Sequence, residues 1–168
     1  MRILIKGLHE LIPTAFYRSV TSTALSQFIQ KTHGMIAGIQ MVHIICLACV
    51  FALGLALALC LAGRGFDSES LDSLSRRFVP AIWIFVSVLL VTGALLIIAE
   101  PVRSLPKAVF YIKMALIVLA ISMTSAIAKR ARRAQRAGAP APVSRAVAVV
   151  YMLIWCCIIV AGRMIAYY

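Results

Sequence analysis

The chain has 168 residues, 63% of them hydrophobic and 13% charged, with a mean hydropathy of +1.01. No water-soluble domain of this size has that balance, so the composition excludes one and leaves a single integral membrane domain. The net charge of +12 would suit a nucleic-acid partner, but the cations lie in short loops between apolar runs, without the aromatic or motif context of a nucleic-acid binder, and that partner is set aside.

The first segment, 1–32, reads as helical and interfacial. Leu4, Leu8, Leu11, Ile12 and Phe16 recur near helical spacing, while Arg2, Lys6, His9 and Glu10 fall elsewhere on the wheel, as in a helix lying in the membrane surface. A cleavable signal peptide fits less well, because Lys6, His9 and Glu10 interrupt its apolar stretch. Pro13 ends that helix, and Ser22 is placed to cap a second short one carrying Leu25, Phe28 and Ile29 towards the membrane.

Residues 33–168 form the membrane domain. The first span, 34–63, holds no ionisable side chain except His43 and the cysteines, which suffices to cross a hydrocarbon core of about 30 Å. Gly34, Gly38, Gln40 and His43 make its first third small and polar, so that part should face protein rather than lipid. The second span is expected over 79–99, with Pro80 in its first turn and Glu100 at its end. The third, 107–128, carries one charge, Lys113, and runs into an Arg-rich helical extension followed by the stiff Ala139-Pro140-Ala141-Pro142 connection. The fourth, 146–166, is interrupted by Arg163. The expected fold is all-α, a membrane-spanning four-helix bundle preceded by an interfacial helical segment.

Orientation follows from Lys and Arg in the short loops. Arg64, Arg76, Arg77, Lys129, Arg130, Arg132, Arg133, Arg136 and Arg145 lie after the first and third spans, against Arg18, Lys31, Arg103 and Lys107 on the other side. The positive-inside rule then puts both chain ends outside, in the periplasm if the membrane is a bacterial inner membrane. The Lys129–Arg136 run reads first as a topogenic signal with some attraction to anionic lipid.

With that topology every span contributes a polar group at the outer end: Gln40 and His43, Glu100, Lys113 and Arg163. At 1.5 Å per residue Lys113 and Arg163 sit roughly 8 and 6 Å inside the boundary. Two readings stand. Arg163 and Lys113 stretch to the interface and pair with Glu100, or the five residues line an outward-opening pocket for an anionic headgroup, a quinone or haem propionates. His43 reads first as a lone imidazole bonded to a neighbour, and otherwise as a candidate axial ligand for b-type haem between the helices. His33 lies on the same helix and cannot reach the opposite haem face, so a second ligand would be a Met such as Met114 or His43 of a second copy.

The cysteines, Cys46, Cys49, Cys60, Cys156 and Cys157, read as small hydrophobes within spans rather than as a metal or disulfide set. Gly34 with Gly38, and Gly54 with Ala58, are small-residue pairs suited to close helix approach, within the chain or in a homo-oligomer. Trp83, Tyr111, Tyr151, Tyr167 and Tyr168 are expected near membrane interfaces. Val91-Thr92-Gly93 and Val160-Ala161-Gly162 echo one another near the outer ends of spans two and four, as in a chain of two similar hairpins.

Ser22-Thr23-Ala24-Leu25, Met41-Val42-His43, Gly93, Glu100-Pro101, Tyr111-Ile112-Lys113 and the ending Gly162-Arg163-Met164-Ile165-Ala166-Tyr167 resemble a family of small four-span bacterial inner-membrane proteins of unknown function. That family is distantly similar to copper-resistance D and cytochrome b561 type membrane proteins. The resemblance covers about 20–168 and implies four helices without an established activity. Members often carry a further histidine near the end of span three, where this chain reads Thr124-Ser125-Ala126-Ile127-Ala128-Lys129. The expected role is a binding, assembly or accessory subunit of a membrane complex; the alternative is an electron-transfer module binding haem b or quinone.

Overall fold

The computed structural model describes residues 19–63, 71–101, 108–138 and 144–167, so the expected first helix, ending at Pro13, lies outside the described residues. The principal helices are, in order, α1 (Ala24–Lys31), α2 (Met35–Leu61), α3 (Leu71–Ala99), α4 (Ala108–Arg136) and α5 (Arg145–Tyr167). No strand occurs among the described residues, and α2 to α5 contain four stretches long and apolar enough to cross a membrane. The protein is an all-α bundle with the composition of a membrane protein.

The four long helices alternate in direction. The tightest pairs are the consecutive hairpins, α2 with α3 and α4 with α5, and the ring closes with α2 against α5 and α3 against α4. Burial repeats between the hairpins at an offset that is constant within each pair of helices. Val50, Leu57, Ala58 and Leu61 on α2 answer to Ala120, Ile127, Ala128 and Ala131 on α4; Val79, Ile82 and Val86 on α3 answer to Ala148, Tyr151 and Trp155 on α5; all are buried. The two hairpins are therefore packed alike around a common core. That core occupies the Arg-rich half of the bundle and ends at about the level of Val50, Val86, Ala120 and Ile158; the His43 half is left to smaller and more polar groups.

Helix ends depart from the sequence expectation for identifiable reasons. α3 begins at Leu71 because Leu71, Leu74, Ser75 and Val79 fall on one buried face, while exposed Arg76 and Arg77 lower the local apolarity that a span search reads. Pro80 consequently lies in the third turn of α3, exposed, rather than in its first. α4 continues to Arg136, with Arg133 and Arg136 in a last turn where cations complement the carbonyl ends. Gly138, at φ 63, takes the left-handed conformation that ends it. Ser144 caps α5, its Oγ accepting from Val147 N–H at 3.4 Å, and its own N–H donates to the Leu61 carbonyl at 2.9 Å, tying the end of α2 to the start of α5.

α1 is an eight-residue helix that divides three ways. Leu25 and Phe28 are exposed apolar side chains on one side. Ser26 and Ile29 are buried against the bundle, and Gln27 and Lys31 are exposed on the remaining face. Ser26 Oγ donates to the Ile98 carbonyl and Gln30 Nε2 to the Ala99 carbonyl, each at 2.8 Å. Those carbonyls belong to the last turn of α3, so α1 supplies side-chain donors to that helix end.

The small-residue pairs separate. Gly54 and Ala58 are buried, and a Cβ on Gly54 would lie 3.2 Å from Tyr151 Oη and 3.4 Å from Trp155 Nε1. This pair is consumed by α2–α5 packing within the chain and is not available to a homo-oligomer. Gly34 and Gly38 have no neighbour within 4 Å of an added Cβ, so their small face is open. Tyr151 is likewise corrected: fully buried rather than interfacial, it stacks edge-on against Trp155 at 6.3 Å, and its hydroxyl lies 2.9 Å from Thr124 Oγ1. Trp83 and Tyr111 are exposed on the bundle surface. All five cysteines are free thiols.

Candidate functional site

The centre at the His43 end is built from His43 on α2, Thr92 and Gly93 on α3, Lys113 on α4 and Gly162 on α5. His43 Nδ1 lies 2.8 Å from Thr92 Oγ1 on α3, and Thr92 is buried. The Thr92 hydroxyl proton is already committed to the α3 backbone, at 2.8 Å from the Val88 carbonyl and 3.3 Å from that of Leu89. With that proton on the Val88 carbonyl, the oxygen accepts from Nδ1–H, the arrangement of the neutral tautomer whose Nε2 carries the lone pair. Gly93 completes the seat: a Cβ there would stand 3.5 Å from His43 Cε1, so the ring lies against bare helix backbone.

The second hairpin repeats the arrangement with different chemistry. Lys113 on α4 extends across Gly162 of α5, its Nζ 3.5 Å and its Cε 3.8 Å from where a Gly162 Cβ would be. Each residue stands five positions from the His43-side end of its helix, so the ammonium runs sideways into the bundle instead of reaching up to the interface. In the register that matches the buried cores, Lys113 is the counterpart of His43 and Gly162 that of Gly93. Thr92 has no such counterpart in kind, because its position is held by the buried Ala161.

The remaining candidates occupy the rim. Gln40, although three residues from His43, is exposed and faces an open groove of about 350 Å³ shared with Gln30, His33, Gly34 and Ala37. Glu100 is half-buried just beyond α3, its backbone N–H donating to the Leu96 carbonyl at 3.0 Å. Arg163 is exposed. Thr92 is the member that the sequence reading did not single out; its only signal was its place beside the repeated glycine.

What the centre can do follows from its groups. It offers a base at Nε2, a cationic donor at Lys113 Nζ and two glycine-bared stretches of helix against which a flat group can lie. For haem the donor set fits in part: His43 presents Nε2 with Nδ1 held by a hydroxyl, as a ligating imidazole requires. No second axial group is brought opposite it by the described contacts, and no three of His, Cys, Asp or Glu gather as a metal-ion site among the described residues. Farther from the His43 end, the exposed Ser87 and Ser122 bond back to the Trp83 and Val118 carbonyls on their own helices, and the buried Thr124 is engaged by Tyr151. No protein-family model, curated protein or solved structure matches the chain.

Proposed function

We propose that the protein is a bacterial inner-membrane binding or accessory subunit, both chain ends periplasmic, whose His43–Lys113 centre holds the headgroup of a lipid-soluble quinone. The location rests on loop charge and on the resemblance to the four-span inner-membrane family. The ligand class rests on one observation: His43 and Lys113, equivalent in the two hairpins, present an acceptor and a donor over bare glycines. A 1,4-quinone has two oxygens on opposite sides of a flat ring. Lys113 Nζ would donate to one oxygen, and a hydroxyl at the other, present in the quinol, would donate to His43 Nε2. Haem b ligated by His43 is the second reading, favoured by the same oriented Nε2; bound there, haem would supply one-electron chemistry.

The two readings part in one preparation. The protein purified in mild detergent is extracted for quinone and, in parallel, assayed for a reduced-minus-oxidised b-type spectrum and a pyridine haemochrome. Near-stoichiometric quinone, lost in His43→Ala and in Lys113→Met, is expected; a stoichiometric b-type signal without quinone would replace this reading by the haem one. Absence of both from cells replete in each would sink the proposal.

A further inference from the structure

The outward face of α4 changes chemistry without changing direction. Val118, Ser122 and Ala126 are exposed at steps of four residues, and Lys129, Arg133 and Arg136 continue the same row at steps of three and four, all exposed. Arg132 is exposed beside them. The helix is unbroken from Ala108 to Arg136, so the row does not rotate on passing from apolar to cationic. The opposite side of the same turns is packed: Ile127, Ala128 and Ala131 are buried, and Ala131 retains only 1% of its surface. The extension is therefore held against the bundle and not swung into water.

Length and charge agree with that placement. From Lys129 to Arg136 the helix advances about 10 Å, enough to cross the polar layer of roughly 5–8 Å that flanks each side of a bilayer core. No acidic residue occurs between Lys129 and Arg145. A helix that only needed to mark topology would place its cations anywhere on the loop; here Lys129, Arg133 and Arg136 stand in line with the exposed Val118, Ser122 and Ala126, with Arg130 and Arg132 exposed on either flank. A soluble polyanion, arriving from water, would gain nothing from that alignment.

We propose that the Lys129–Arg133–Arg136 row, with Arg132, is a docking surface for anionic phospholipid headgroups, the tails lying along Val118, Ser122 and Ala126. The guanidinium groups match the phosphodiester oxygens in pairs, and the row fixes which face of the bundle the lipid occupies. This surface is at the opposite end from the His43 centre and does not depend on what that centre binds.

The full chain in nanodiscs of mixed phosphatidylglycerol and phosphatidylcholine is released into the gas phase, and the retained lipids are counted by native mass spectrometry. Phosphatidylglycerol should be retained preferentially, and less so after assembly at high salt. The variant Arg132→Gln/Arg133→Gln/Ala139→Lys/Ala141→Lys keeps the cation count of the loop, and so the insertion signal, but breaks the row. Its preference should fall about tenfold, since each cation near an anionic surface contributes several-fold. Equal retention of the two lipids by the native chain, an undiminished preference in the variant, or full displacement by millimolar inorganic phosphate would each overturn the proposal. If the variant fails to insert, the native comparison and the phosphate competition still decide it.

Discussion

At the scale of single residues, the least expected participant is Thr92. A threonine within a helix commonly bonds back to its own carbonyls, and Thr92 does so to Val88. Its oxygen is thereby turned into a pure acceptor, and His43 takes advantage of it. Replacing it by valine keeps shape and volume while removing that acceptor. Thr92→Val should leave the melting temperature within a few degrees, yet weaken binding of a short-chain quinone analogue about tenfold, the usual scale for losing the partner that orients an imidazole. Fluorescence-detected thermal unfolding and a binding titration on the same sample separate the two effects. That polar groups gather at one end of the spans was legible from residue positions. That His43 meets Thr92, and Lys113 lies over Gly162, was not, because the rotation of each helix is set by core packing in the other half of the bundle.

Among the elements, α1 is the one whose job is defined by another helix. Ser26 and Gln30 satisfy the terminal carbonyls of α3, while Leu25 and Phe28 remain exposed on the side suited to lipid. Removing both donors in Ser26→Ala/Gln30→Ala should cost about 2 kcal/mol of local stability, on a scale of about 1 kcal/mol per net hydrogen bond. Hydrogen–deuterium exchange should then rise by an order of magnitude or more in α1, with the amides of α2 and the centre of α3 unchanged. The sequence disclosed that a short helix carries Leu25, Phe28 and Ile29 towards the membrane, but not that its polar face is a cap. The start of α3 escaped for a related reason: Arg76 and Arg77 on the exposed side hide Leu71, Leu74 and Ser75 on the buried one. Apolarity averaged along a chain cannot resolve faces of a helix.

For the whole molecule, the bilayer does much of the specifying. A backbone in hydrocarbon must bond to itself, so long uncharged runs permit helices and little else, and the four-helix architecture was legible at once. The direction in which the bundle is inserted rests on its cations and is open to a direct check. Single cysteines at Gln40 and Arg132, in a background lacking the native thiols, should react differently with a membrane-impermeant maleimide applied to spheroplasts. Gln40→Cys should label in intact spheroplasts, and Arg132→Cys only after permeabilisation; the reverse pattern would invert the protein and place the His43 centre on the cytoplasmic side.

The likeness of the two hairpins also sets how a bound headgroup can face. Two half-seats, if chemically identical, would accept a flat ring in either of two orientations, and a ligand with a single tail would then be held in a mixture of poses. Lys113 in place of a second histidine, and Ala161 in place of a second threonine, remove that degeneracy. For a quinone bound as proposed, the asymmetry between the halves would select one orientation of the ring, and with it one direction for its tail.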